Sequence, residues 1–541
     1  MIFFRKTLPI LTLVFLLSVL VRLPELNRPL SKHHEFCTAV SLRILQIWYD
    51  NGIEKYQFNP VMTYNTPADK FINNDANTSG MMHDSLGNFY YVSHPPFAYY
   101  FPYAVFKVLH VRPDVLPLQI LNMLLGFLTA IFVYFTVCLL SFNRARSYLH
   151  FPSFVAYSVY LFLPPTLWFQ GNVYMSDMAV HLPFVIGVYI VLKMIIRQRF
   201  YVPKYILMYV LMLFIMIYTS WLGVFYAFGV LVYSLLHVRT IKGFRVLIWS
   251  TIAVTFVALR LITWQYSEIN GLDAYAHEIL LRYLVRGSVT QLHHGFLHFL
   301  FSYFLLLKDI LFNYLVNYLP IYLLIAGFVW ISVSKAKLKI VFSENGYRFI
   351  WLSVLPVVML HLVFMQYSKQ DFTVLYASLF FSVLIGILYD KVKKSGVFSD
   401  RALNGLVLLT IVVLIAQFYV TNLPGPKSIK GDYYDMEKRM GEYVKQNADK
   451  NEVVVMKETP TPQLIFYAGR NIFYSPDCDE SINFRHKRWQ ETKGAVVGYA
   501  DIIFEHEDKS PSLKSYYPII KYSDTIIPVP DEIDSISFKK K

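Results

Sequence analysis

The stretch "LPILTLVFLLSVLVRLPEL", residues 8–26, decides the class of fold. Between Lys6 and Arg22 it carries no charge. A helix of that length, rising ~1.5 Å per residue, approaches the ~30 Å hydrocarbon core of a bilayer. Arg5 and Lys6 precede it as they would in a signal peptide. No small-x-small cleavage site follows, so it reads as an uncleaved first membrane helix. Similar apolar runs lie near 116–140, 151–169, 178–196, 204–221, 223–238, 245–264, 318–334, 347–366, 372–390 and 402–421. Together they predict an α-helical polytopic membrane protein with about eleven transmembrane helices. Prolines break the segment 94–110, "HPPFAYYFPYAVFKVLH", which reads as re-entrant or interfacial. Residues 296–315 leave room for one or two further crossings.

Composition agrees. Of 541 residues, 55% are hydrophobic and 16% charged, whereas a soluble domain is about a quarter charged. Aromatics at 17% suit a chain with many membrane–water interfaces. The short alternating segments of a β-barrel are missing. A net charge of +14 raises the idea of nucleic acid, but the positions of the charges exclude it. Basic residues gather in every second connector: Arg144 and Arg146; Lys193, Arg197, Arg199 and Lys204; Arg239, Lys242 and Arg245; Lys335, Lys337 and Lys339; Lys391, Lys393 and Lys394. By the positive-inside rule the N-terminus is then cytoplasmic and the C-terminus outside. Cys37, Cys138 and Cys478 are too few and scattered for a disulfide framework or zinc cluster.

This sidedness predicts a transmembrane domain over 1–421, with outer-face loops at 25–115 and 265–315, and an extracytoplasmic tail over 422–541. The tail reads as a helix ("DYYDMEKRMGEYVKQNA"), a strand ("EVVVMK"), then "QLIFYAGRNIFYS", "AVVGYADIIFE" and "YYPIIKY". Alternating helical and strand patterns predict a small C-terminal α/β domain.

The polar groups of interest fall on the outer face. In "RPLSKHHEFCTAVSLRILQIW", residues 28–48, Phe36, Val40, Ile44, Ile47 and Trp48 follow helical spacing, with Arg43 and Gln46 off that stripe. The pattern predicts an amphipathic helix in the outer interface, headed by Glu35. There Glu35 is either a helix cap favoured by the dipole or a reacting group. Asp177, in "GNVYMSDMAVHLPF", precedes the fourth helix, with His181 at i+4. It too is either a cap or a functional acid, since ionisable groups at membrane depth are costly unless used. Tyr99, Tyr100 and Tyr103 either line a groove for lipid or sugar or form an aromatic belt.

In "EILLRYLVRGSVTQLHHGFLHF", Arg282 and Arg286 stand at i, i+4, a spacing that clamps phosphate or pyrophosphate. His293, His294 and His298 follow, and the last two have a spacing that can hold a metal. Lys369, Gln370 and Asp371 stand at the mouth of the tenth helix. The inner face has no Gly-rich phosphate loop or nucleotide motif. An enzyme working outside must use a donor already across the membrane, and a lipid-linked donor fits.

The arrangement resembles the C-type glycosyltransferases, the polytopic superfamily of protein O-mannosyltransferases and the lipid A aminoarabinose transferase, and within it the bacterial family-39-like group. The family's Asp-Glu motif after the first helix is matched by His34-Glu35 in "HHEFCTAVSLRILQIWYDNG". Its Lys-Pro-Pro motif is matched by "HPPFAYY", with His94 for the lysine. Its second acid matches Asp177, and its late His-Asp-aromatic motif reads "KQDF", with Gln370 for the histidine. In the tail, "FYAGRNIFY" is similar to a segment common in these proteins.

The resemblance implies transfer of a sugar from a polyprenyl-phosphate donor to a lipid, glycan or protein acceptor. The place would be the outer face of a bacterial cytoplasmic (inner) membrane. A carboxylate can act as general base for the acceptor hydroxyl, and the leaving phosphate needs cations. These roles go to Glu35 as base, to Asp177 orienting it or holding a divalent metal ion, and to His94, Arg282 and Arg286 at the donor phosphate. A single displacement inverts the anomeric centre. Beyond that ion no cofactor is implied, and no nucleic-acid partner. The alternative is a polytopic transporter or flippase of a lipid-linked glycan, which should show related halves with broken helices at the midplane.

Overall fold

In hydrocarbon a helix satisfies every backbone N–H and C=O within its own segment, and the long apolar runs fold accordingly. The computed structural model describes residues 2–72, 80–141, 149–287, 294–334, 343–422, 435–450, 452–456, 459–474, 498–506 and 516–523. Arg144, Arg146, His293, Lys335, Lys337, Lys339 and Cys478 lie outside the described residues.

Among these residues eight helices are long and apolar enough to cross a membrane: Lys6–Glu25, Val115–Leu140, Ser176–Ile196, Phe244–Asn270, Phe296–Trp330, Glu344–Val363, Asp371–Lys394 and Asp400–Thr421. Three shorter apolar helices are Phe151–Phe162, Pro203–Ile217 and Leu222–His237. The chain is a mostly helical, polytopic membrane protein.

Local chemistry explains where the elements depart from the apolar runs. The run expected at 151–169 is two helices, Phe151–Phe162 and Pro164–Phe169. Pro164 pushes Leu163 into an extended conformation, with ψ 132°. Conversely, residues 296–315 and 318–334 form one helix, Phe296–Ser334, that runs through Pro320. At 39 residues it is roughly 58 Å long. The proline-broken segment after His94 is a 13-residue helix, Phe97–Leu109.

The chain divides into two compact units. The first holds Met1–Leu26, Leu118–Ile262 and Arg282–Leu423. Its helices pack closely through small residues. A Cβ on Gly386 would lie 2.8 Å from the Pro152 carbonyl and 3.0 Å from Ala156 Cβ, which lets Ser378–Lys394 press onto Phe151–Phe162. Arg22, 2% exposed, closes the proline break. Its guanidinium donates to the carbonyls of Thr166 (3.1 Å) and Leu167 (3.0 Å), and to the carbonyl (3.0 Å) and hydroxyl (2.9 Å) of Ser18. The first two belong to the last turn of the short helix, where the Thr166 carbonyl also accepts from the Gln170 N–H (3.2 Å).

The second unit holds Asn27–Pro117, Thr263–Leu281 and Pro424–Lys541. At its centre stands the helix Glu35–Asn51, packed against Phe97–Leu109 and Pro462–Ala468. The amphipathic reading of this helix needs correction. Arg43 and Gln46, expected on a wet face, are buried, while Phe36 is 43% exposed. Protein packs against both faces, and tertiary partners satisfy the polar groups: Arg43 donates to Asn471 Oδ1 (2.7 Å) and Gln46 to the Pro113 carbonyl (2.9 Å).

A short antiparallel hairpin, β1 (Met81–His83) and β2 (Phe89–Tyr91), lies in the same unit. The tail adds β3 (Glu452–Met456), β4 (Ile472–Tyr474), β5 (Gly498–His506) and β6 (Tyr516–Ser523), in the sheet order β4-β3-β5-β6. β3 pairs in parallel with β4 and β5, and β5 antiparallel with β6. The helix Pro462–Ala468 makes the crossover that parallel neighbours require. Met440, Val444, Val454, Leu464, Ala468 and Ile472 form its core. The helix ends at Gly469, whose φ of +64° suits a residue without a Cβ. Asn471 then binds Asp69: its N–H donates to Asp69 Oδ1 and its amide to the Asp69 carbonyl, both at 2.7 Å.

Candidate active site

Glu35 and His94 belong to the second unit; Asp177, Arg282 and Arg286 belong to the first. The two acids differ in how fully their oxygens are engaged.

Glu35 occupies the first position of its helix and is 1% exposed. Arg28 grips it with a fork, Nη2 to Oε1 at 2.5 Å and Nη1 to Oε2 at 2.8 Å. The backbone N–H groups of Ser31 (2.9 Å) and Lys32 (2.8 Å) also donate to Oε2. Those amides precede the helix, so Glu35 closes the loop behind it and does not cap the helix's own N–H groups. His34, between loop and helix, is left-handed at φ 61°, an uncommon conformation for a side-chain-bearing residue.

Asp177 stands in the first turn of Ser176–Ala179, 2% exposed. No side chain caps that helix, so Asp177 is not a cap either. Its Oδ1 accepts from the Tyr376 hydroxyl and from Ser220 Oγ (3.3 Å). Its Oδ2 is buried with no hydrogen-bond partner among the described residues. An unpaired buried carboxylate oxygen is costly and marks a place where a proton, a water or a cation completes the site. One turn on, His181 is fully buried and stacks on Tyr160 at 6.0 Å.

The cationic candidates sit on firm supports. β2 leads into the segment carrying His94, whose carbonyl accepts from the Tyr266 hydroxyl (2.6 Å) and whose ring stacks on Tyr91 at 6.2 Å. Asp84 holds the hairpin turn, accepting from the backbone N–H groups of Leu86 and Asn88 (2.9 Å each) and the Tyr90 hydroxyl (2.9 Å). Arg282 and Arg286 share one face of the helix Leu272–Arg286. Both are partly exposed, and the Arg286 guanidinium lies 5.4 Å from the ring centre of Tyr367. Tyr99, Tyr100 and Tyr103 pack around Trp48 at 6.2, 5.7 and 5.8 Å. Tyr99 is 2% exposed and part of an aromatic core, while Tyr100 and Tyr103 are partly exposed at its edge. The rings of His294 and His298 lie 5.2 Å apart on the surface. No third metal-ligating side chain joins them among the described residues.

Sequence reasoning missed Arg28, Ser220 and Tyr376. Arg28 stands seven residues before Glu35 in the quoted loop, and Tyr376 five after Asp371 in a loop already singled out. Neither spacing is periodic, so neither signalled a pairing.

A polytopic helical bundle carrying buried acids is the class that fold and site define. No family model matches the sequence, and no curated protein matches it significantly. Solved structures do match. The archaeal oligosaccharyltransferase AglB from Archaeoglobus fulgidus, in complex with an inhibitory peptide and a dolichol-phosphate, aligns with a TM-score of 0.54 and 10% identity, over 92% of this chain and 70% of that one. ArnT from Cupriavidus metallidurans bound to undecaprenyl phosphate aligns with a TM-score of 0.54 and 12% identity, over 90% of this chain and 89% of that one. The Archaeoglobus fulgidus oligosaccharyltransferase complexed with Zn and sulfate gives 0.55 and 10%, over 91% and 67%. The chain shares the fold of these structures, in line with the fold that the sequence resemblance implied.

Proposed function

We propose that this protein is a membrane glycosyltransferase that moves a sugar from a polyprenyl-phosphate donor to an acceptor at the outer face of the bacterial cytoplasmic membrane. The observation that carries the reading is Asp177, a buried carboxylate with one oxygen held by Tyr376 and Ser220 and the other open. A fold shared with ArnT bound to undecaprenyl phosphate and with AglB bound to dolichol-phosphate supports the choice of donor.

The acceptor hydroxyl attacks the anomeric carbon and its proton passes to Asp177 Oδ2. The bond between that carbon and the donor phosphate oxygen breaks, and its electron pair leaves with the polyprenyl phosphate. Attack opposite the leaving group inverts the anomeric centre. His94, Arg282 and Arg286 are assigned to the phosphate, where cations stabilise the developing charge. Glu35, already engaged by four donors, acts as base only when the Arg28 fork opens. Where the reaction uses a divalent ion, Asp177 would be among the residues that hold it and the ion would supply positive charge for the phosphate; Glu35 would then be the base.

The test is reconstitution in liposomes with radiolabelled polyprenyl-phosphate sugars and envelope extract. Label appearing in the acceptor, with free polyprenyl phosphate released, supports transfer; label moving between leaflets on intact donor would identify a flippase. Asp177→Asn should reduce transfer more than a hundredfold. Loss of transfer on chelation, restored by a divalent ion, would give the base to Glu35.

A further inference from the structure

We infer that Tyr376 is a positioning residue that fixes the Asp177 carboxylate and thereby decides which of its oxygens does the work. The inference rests on the assignment of Asp177 to the reaction. Four observations carry it. The Tyr376 hydroxyl donates to Asp177 Oδ1 across 199 residues of sequence. Ser220 Oγ donates to that same oxygen at 3.3 Å. Both donors therefore fall on Oδ1, and Oδ2 has no partner among the described residues. Tyr376 is itself 1% exposed, in the 3₁₀ segment Asp371–Ala377, with its ring 6.3 Å from that of His181.

A carboxylate on a two-bond side chain rotates readily about its last torsion, which has broad, two-fold preferences. Two donors on one oxygen remove that freedom. A short 3₁₀ run is well suited to present the hydroxyl, because its tighter backbone turns the side chains of Asp371–Ala377 more sharply than an α-helix would. The segment leads directly into the helix Ser378–Lys394. Gly386 lets that helix pack closely on Phe151–Phe162. A positioned group loses rate steeply when it wanders, by about a hundredfold for displacements near 1 Å.

The experiment measures kcat and donor KM for Tyr376→Phe, Asp177→Asn and the double variant in the liposome assay. Tyr376→Phe should lower kcat at least about tenfold while KM stays within about twofold, measured well below the variant's own thermal midpoint in detergent. In the Asp177→Asn background the added Tyr376→Phe should have no further effect, the signature of a residue acting through its partner. Ser220→Ala should reproduce the kcat effect more weakly. A Tyr376→Phe protein with wild-type kcat beside a crippled Asp177→Asn protein would overturn the inference alone. A Tyr376→Phe loss that follows the midpoint downward would also overturn it, assigning the hydroxyl to stability. Wild-type transfer by Asp177→Asn would instead overturn the reading on which it rests.

Discussion

Arg28 holds both oxygens of Glu35, at 2.5 and 2.8 Å, with the two side chains only 11% and 1% exposed. A bidentate fork out of water gives direction as well as energy. Here it closes the loop 28–35 onto the start of the helix Glu35–Asn51. The same pair limits what Glu35 can do chemically, because a proton must compete with the fork.

Breaking the pair from one side should therefore be severe. Arg28→Ala leaves a buried carboxylate with only two amides and is expected to cost about 3–5 kcal/mol. Thermal unfolding in detergent reads this directly. Arg28→Ala combined with Glu35→Gln should recover part of the loss, since no uncompensated charge is then left buried.

Within the second unit the tail docks through the helix Pro462–Ala468, through Tyr467, whose hydroxyl accepts from the Leu30 N–H (2.8 Å), and through Asn471, which contacts Arg43 and Asp69. Asn471→Ala removes the partner of the Arg43 guanidinium and one donor to the Asp69 carbonyl. The expected loss is about 1–3 kcal/mol. Hydrogen exchange should rise together in Pro462–Ala468 and Glu35–Asn51 if these elements dock as a unit, and in the tail alone if they do not.

Asp69 predicts a pH dependence. Burial pushes its carboxyl above the ordinary value of 3.8, against the opposing effects of Thr66, Arg470, Asn471 and Arg43. Its folded-state pKa thus exceeds the unfolded one. The associated stability is fully present below about pH 3.8 and is lost as pH rises through the folded value. Asp69→Asn should flatten this part of the stability curve, measured as thermal midpoints at graded pH. An unchanged slope would contradict the assignment.

Gly386 tests the packing of the first unit. A methyl group there meets the Pro152 carbonyl at 2.8 Å. Gly386→Val should wedge the two helices apart at a cost of about 1–3 kcal/mol, seen as a lower midpoint in detergent.

At the proposed donor site, Arg282→Ala and Arg286→Ala should each raise the KM for the lipid-linked sugar about tenfold. The effect on kcat should be smaller, and the difference from wild type should shrink with added salt, which screens the attraction the variants lack. Equal KM values for variant and wild type would remove these arginines from the phosphate.

Much of the architecture was legible in the chain itself. The run before Arg22 and the strand pattern of "EVVVM" follow from hydropathy and from side-chain type. These properties act over a few residues, and a sequence displays them directly. Tertiary structure alone decided what the polar groups do. Periodicity put Arg43 and Gln46 on a wet face, but long-range partners bury them. In the sequence Asp177 reads as a cap or a functional acid; in the fold Tyr376 binds one of its oxygens and the other has no hydrogen-bond partner among the described residues. Asn471 finds Asp69 across 402 residues. A hydrogen bond depends on which atoms the folded chain brings within 3 Å, and no local pattern encodes that choice.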